Sequence, residues 1–140
     1  MSVIDEIYCE MPLPEDAPDF LKKCPCFQTS DLGKAGNSYT ISKDGQFLMT
    51  DCLLSGILLD AFGIKDPPPP MPIVWKRKKI HLYASNLRGG SPRDGKYVYF
   101  TENGEDYISI NYVVQIRSGK VSSIKEQSRD VKPAKPMSEF

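Results

Sequence analysis

The stretch Trp75-Lys76-Arg77-Lys78-Lys79, followed by His81 and Tyr83 and accompanied by Arg88 and Arg93, is where this chain comes nearest to chemistry. Basic side chains neutralise phosphates, an aromatic face stacks on a base, and exposed aromatics anchor protein interfaces. Trp75, Lys76, Arg77, Lys78, Lys79, Tyr83, Arg88 and Arg93 therefore form the candidate partner-binding set. The same lysines can instead protect the edge of a sheet from pairing with other chains. Lysine plus arginine equals aspartate plus glutamate at 18 each, so no long-range field draws in nucleic acid. A protein partner is the first reading of the patch, and a small nucleic-acid-binding module using residues 75–79 is the second.

Other reactive residues do not assemble into a motif. Cys9, Cys24, Cys26 and Cys52 would suit two disulfides in an exported domain, or a zinc site. The Cys24-Pro25-Cys26 spacing is shorter than the usual C-x2-C to C-x4-C of structural zinc, which leaves free thiols as the expectation and a zinc or thiol enzyme as a distant rival. His81 lies in the alternating run Lys79-Ile80-His81-Leu82-Tyr83, and service as a general base needs a positioned partner. Thr101-Glu102 and Glu105-Asp106 put acids around one turn, where solvation explains them. Arg88 to Gly95 reads as a flexible basic loop whose amides can meet an anion. No phosphate-cradling, nucleophile-elbow or zinc-helix motif is present. The expectation is a protein that is not an enzyme, with no catalytic, cofactor-binding or metal-binding residues.

Strands and tight turns must position these residues. A length of 140 residues suits one domain with one core. Val3 to Tyr8 reads as a first strand, and the prolines between Met11 and Pro18 make a loop. Ser38 to Ile41 and Gln46 to Met49 flank an Asp44-Gly45 turn and predict a hairpin. Leu54, Ile57, Leu58 and Ala61 fall at helical spacing, which favours a helix over Thr50 to Phe62 against an extended strand. Pro67 to Pro70 is a stiff connector. Lys79 to Ala84, Lys96 to Thr101, Asp106 to Ile116 and Val121 to Lys125 predict an antiparallel meander, with Asn103-Gly104 and Ser118-Gly119 in its turns.

The expected fold is thus α+β: a single β-rich domain over residues 1–125, dominated by a twisted antiparallel sheet with at most one substantial helix, and a flexible tail over 126–140. Its core should draw on Ile4, Tyr39, Ile41, Phe47, Leu54, Leu58, Ile80, Leu82, Val98, Phe100, Ile108, Ile110, Tyr112, Val114 and Ile116. Met1 to Glu6 carries acid where a signal peptide has its basic region, and the apolar run Leu53 to Phe62 is too short to span a bilayer. A soluble, cytoplasmic protein is expected.

Phe27-Gln28-Thr29-x-Asp31-Leu32, then Tyr39-Thr40-Ile41-x-x-Asp44-Gly45, then Tyr112-x-Val114-x-Ile116-Arg117-x-Gly119-Lys120-Val121, resembles a group of small uncharacterised proteins of tailed bacteriophages and prophages. The resemblance covers roughly residues 24–50 and 78–125. It implies a closing sheet and a phage or prophage accessory protein in the host cytoplasm, and it supplies no catalytic motif. The function that follows as an expectation is non-catalytic binding of a host or competing-phage protein, such as inhibition of a defence.

Overall fold

Side chains on a strand alternate between two faces, and the strands Arg77–Ser85 and Tyr107–Arg117 use that period to bury one row of residues. The computed structural model describes residues 4–33, 36–51 and 71–139. In chain order these form β1 (Asp5–Cys9), a short helix α1 (Asp19–Lys23), β2 (Cys26–Thr29), β3 (Ser38–Ile41), β4 (Phe47–Asp51) and β5 (Met71–Pro72). There follow β6 (Arg77–Ser85), β7 (Gly89–Arg93), β8 (Lys96–Thr101), β9 (Tyr107–Arg117), β10 (Lys120–Lys132), β11 (Lys135–Pro136) and a closing 3-10 turn at Met137–Glu139.

Eight strands make one sheet in the order β10-β9-β6-β2-β1-β3-β4-β5, and β11-β8-β7 make a second. The fold is sheet-dominated and mostly antiparallel, as expected, but β1 runs parallel to β3 and β11 parallel to β8. The large sheet curls until β10 meets the β3–β4 turn. Gln46 bridges Lys120 at the start of β10, and the Val121 N–H donates to the Gly45 carbonyl at 2.8 Å. Inside the curl Phe27 meets Tyr112 edge-on, Phe47 packs between Tyr39 and Trp75, and Ile80, Leu82, Ile110, Val114 and Ile116 fill the remainder. No helix among the described residues is long and apolar enough to cross a membrane.

Several expectations need correction. Ile4 is 45% exposed, because β1 turns Asp5, Ile7 and Cys9 inward. A shift of one residue in a strand turns every side chain over. Here it puts a wholly buried carboxylate, Asp5, where it accepts the Asn37 N–H at 2.9 Å. Val98 and Ile108 are half-buried. Thr50 and Asp51 end β4, so no helix starts at Thr50, while the rest of that segment, with Leu54, Leu58 and Pro67 to Pro70, lies outside the described residues.

The turn at Asn103-Gly104 does take Gly104 to φ +75°, yet it joins no hairpin. It hands the chain from the small sheet to the large one, since β8 pairs with β7 and β11 while β9 pairs with β6 and β10. The supposed basic loop Arg88 to Gly95 is β7 and its turn, with Asp94 at φ 50° and Gly95 at φ 77°. Asp-Gly suits such a two-residue turn as well as Asn-Gly does.

The expected tail from residue 126 is also corrected: β10 stays paired with β9 through Lys132, and β11 with β8. Its side chains are mostly exposed, which makes its composition look like that of a tail. Arg129 fastens it, donating to the Asp16 carbonyl at 2.7 Å and to the Glu126 carboxylate at 2.6 Å.

Candidate functional site

Alternation along β6 sends Ile80, Leu82 and Ala84 into the core and leaves Arg77, Lys79, His81 and Tyr83 on the outer face. Register then fixes their neighbours, because side chains opposite each other on paired strands share a face. Arg77 lies opposite Arg117, Lys79 opposite Gln115, His81 opposite Val113 and Tyr83 opposite Asn111. On the next strand Lys120 lies opposite Arg117, and Lys125 opposite Val113. The result is a strip whose one end carries Arg77, Lys79, Arg117 and Lys120, with Lys125 level with His81 at its middle. None of these makes an ion pair among the described residues.

The other end of the strip is aromatic and covered. Tyr107 shares the outer face of β9, but Tyr99 of the small sheet stacks on it at 4.9 Å with the rings 8° apart. Lys132 lies over the Tyr99 ring, its Nζ 5.1 Å from the ring centre. Burial, and next a hydrogen bond with Tyr83, push the Tyr107 phenol above its ordinary pKa. Tyr83 thus stands at the boundary, 37% exposed, between the covered aromatic end and the bare cationic end.

Asp31 organises the middle of the strip. Strand β2 meets β6 at the single register position Gln28 opposite Tyr83. Where β2 has ended, the Asp31 carboxylate takes the place of a strand carbonyl, accepting the His81 backbone N–H at 2.7 Å and facing His81 Nδ1 at 3.0 Å. Burial opposes ionisation of Asp31, but the two contacts with His81 and the charges of His81 and Lys78 outweigh it and hold the carboxyl below its ordinary value. Thr29, itself buried, accepts the Asp31 N–H at 3.2 Å. The Phe27 to Leu32 motif therefore has a structural account: Phe27 and Thr29 point inward, Asp31 clamps β6, and Leu32 packs on the core. The clamp gives His81 the partner that general-base chemistry needs, yet among the described residues no serine, threonine or cysteine side chain bonds to the ring.

The sequence-derived set is only partly brought together. Arg77, Lys79 and Tyr83 belong to the strip, and exposed Lys76 precedes it. Lys78 faces the opposite way, with Nζ 5.8 Å from the Trp75 ring, and Trp75 packs at 5.1 Å on Phe47, so the tryptophan is occupied by the core edge. Arg88 borders a depression of about 320 Å³ with Glu6, Gln28 and Tyr83. Arg93 stands apart on the small sheet, over the Phe100 ring at 5.6 Å and donating to the Glu139 carbonyl at 3.1 Å. Sequence reasoning missed Arg117, Lys120 and Lys125, although the Ser118-Gly119 turn and the period of 2 contain the signal. It also missed Asp31, which is fifty residues from His81 and carries no local sign of the contact.

Cys9, Cys24 and Cys26 are free thiols, Cys9 buried and the other two exposed. Among the described residues no group of three or more histidines, cysteines or acids gathers as metal ligands would. The chain matches no protein-family model, and no curated protein or solved structure shows significant similarity to it.

Proposed function

We propose that the chain is a non-catalytic binding protein that docks an acidic protein surface on the outer face of β6, β9 and β10. The reading rests on five cations gathered on one sheet face without ion-pair partners among the described residues, beside the exposed ring of Tyr83. Unpaired cations speed encounter with an acidic partner, and an exposed aromatic at the margin anchors it. By the resemblance of the three sequence segments, the partner is a host or competing-phage protein met in the host cytoplasm, and the outcome is its inhibition.

Nucleic acid is the second reading, because the same cations neutralise phosphates. The engagement of Trp75 with Phe47 ranks it second, since the tryptophan beside the cations is not free to stack on a base. The test compares the wild type with Arg77→Glu/Lys79→Glu/Lys125→Glu, using Lys96→Glu on the β7–β8 hairpin as a charge control. Pull-down from host cells should yield a protein retained by wild type and control and lost with the triple variant. Fluorescence anisotropy at about 0.15 M salt, where the Debye length is about 8 Å, should show no micromolar binding of labelled single-stranded DNA, RNA or duplex. Micromolar binding that the triple variant loses while folded replaces the first reading with the second.

A further inference from the structure

Proline fixes φ near −65°, close to the value at the centre of an inverse γ-turn, in which the residue after the proline donates to the carbonyl of the residue before it. Cys24-Pro25-Cys26 is such a turn, with the Cys26 N–H donating to the Cys24 carbonyl at 2.8 Å. Helix α1 ends at Cys24 and β2 begins at Cys26, so the chain on both sides is held and the turn brings the two side chains together. Their sulfurs lie 3.0 Å apart, and both residues are exposed.

We propose that Cys24 and Cys26 form a thiol–disulfide exchange site that reduces low-molecular-weight peptide disulfides. The Cys24 thiolate attacks one sulfur of the external disulfide, breaking its S–S bond, forming a mixed disulfide and releasing the first thiol. Cys26 then gives up its proton and attacks the Cys24 sulfur, forming the Cys24–Cys26 bond and expelling the second thiol. The chain loses two electrons and two protons, and the external disulfide gains both. Bond formation requires the sulfurs to close by about 1 Å. The ring formed is small, so it constrains little of the unfolded chain, and the product is readily reduced again.

The surroundings assign the order and the substrate class. Cys24 lines the charged depression that receives the substrate and so makes the first attack, while partial desolvation, and next the adjacent Cys24 thiol, push the Cys26 pKa up to about 11 and hold its proton until ring closure. Cys24 opens onto a depression of about 480 Å³ that offers Lys22, Lys23 and Arg88 to carboxylates and Asp19, Glu102 and Glu105 to an ammonium group. A zwitterionic peptide disulfide carries both kinds of charge.

The probe is oxidised glutathione, added to the reduced full chain and followed by intact mass and peptide mapping. Wild type should lose two hydrogens at the 24–26 peptide without retaining an adduct. Cys26→Ser should hold one glutathione on Cys24, and Cys24→Ser should react several-fold slower at Cys26, because Cys26 does not line the depression that receives the disulfide. Pro25→Ala should leave the first step unchanged and slow ring closure several-fold, since the turn no longer pre-positions the thiols. Thermal unfolding of each variant at the wild-type midpoint separates loss of reaction from loss of fold. Stable adducts at Cys24 or Cys26 of the wild type, or a folded chain that does not react at this pair while the denatured chain does, would overturn the proposal. Cys24→Ser reacting as fast as wild type would overturn the assigned order.

Discussion

The two sheets are built on different principles. The large sheet surrounds a continuous apolar core in which Ile41, Phe47, Ile80, Leu82, Ile110, Tyr112 and Val114 have no exposed surface. The small sheet closes over Phe100 and leans on its neighbour through Tyr99, which stacks on Tyr107 of β9 and meets Tyr97 of its own strand edge-on. Where β7 has Gly90, the Tyr97 ring lies so near that a Cβ there would sit 2.4 Å from it, and Tyr97 remains 57% exposed. Large-sheet stability therefore comes from excluded water and close packing, and small-sheet position from a few oriented contacts. The cationic strip belongs to the first and the tyrosine that covers its other end to the second, so the small sheet sets where the bare surface begins.

Loss of a ring from the core of the large sheet should destabilise the protein most. Phe47→Ala removes a wholly buried ring packed against Tyr39 and Trp75, at a cost of roughly 3–5 kcal/mol. Thermal unfolding should show a midpoint about 10 °C lower. Tyr97→Ala, which removes a half-exposed ring, should cost about 1 kcal/mol. Equal losses from the two would show that the small sheet is as deeply packed as the large one.

Next in size is the joint between the sheets. Asn86, buried at the end of β6, donates to the Asp106 carbonyl at 2.9 Å and accepts the Ile108 N–H at 2.8 Å. Asn86→Ala leaves both groups without their partner, for a loss of about 2 kcal/mol. Hydrogen exchange at the Ile108 amide should speed up by more than at Val114 in mid-strand. Uniform acceleration would mean that Asn86 supports the whole fold rather than the joint.

How much of this was legible depends on how far each determinant lies along the chain. The β3–β4 and β9–β10 hairpins were readable because Asp44-Gly45 and Ser118-Gly119 lie between alternating runs. The inward row of β9 followed from Ile110, Tyr112, Val114 and Ile116 at period 2. Assignment of strands to sheets was not readable, since Asn103-Gly104 gives the same local signal whether it closes a hairpin or carries the chain between sheets. Ile4 and Ile7 offered two parities for β1, and the choice is made by Asp5 reaching Asn37. β10 beyond Lys125 is mostly polar and is held by backbone pairing and Arg129, which no hydrophobic pattern reports. For the strip, the cations on β6 were visible, but their neighbours on β9 and β10 needed the register, and the Asp31 clamp needed the fold.

Two hairpin glycines share a backbone conformation but differ in their surroundings. Gly119 joins β9 to β10 at φ 78°, and a Cβ there would lie 2.9 Å from the Val74 side chain. Gly95 joins β7 to β8 at φ 77° with nothing within 4 Å of the same position. Alanine at either site meets the left-handed backbone penalty of about 1 kcal/mol. Gly119→Ala adds displacement of Val74, so its unfolding midpoint should fall further than that of Gly95→Ala. The reverse order would place the tighter turn in the small sheet.

The smallest effect sharpens the role of the clamp between β2 and β6. Asp31→Asn keeps an oxygen to accept the His81 N–H but removes the charge, and the carboxylate it replaces is 31% exposed, so solvent screens most of the loss. The expected cost at neutral pH is about 0.2–1 kcal/mol, read as a shift in the urea midpoint. Because the folded-state pKa of Asp31 lies below its ordinary value, its stabilisation is complete above the unfolded carboxyl pKa of about 3.9 and disappears as pH falls through the folded value. Wild type and variant should therefore differ at pH 7 and converge in strong acid. A gap that persists below both pKa values would mean that the shape of the aspartate, and not its charge, holds β6 beside β2.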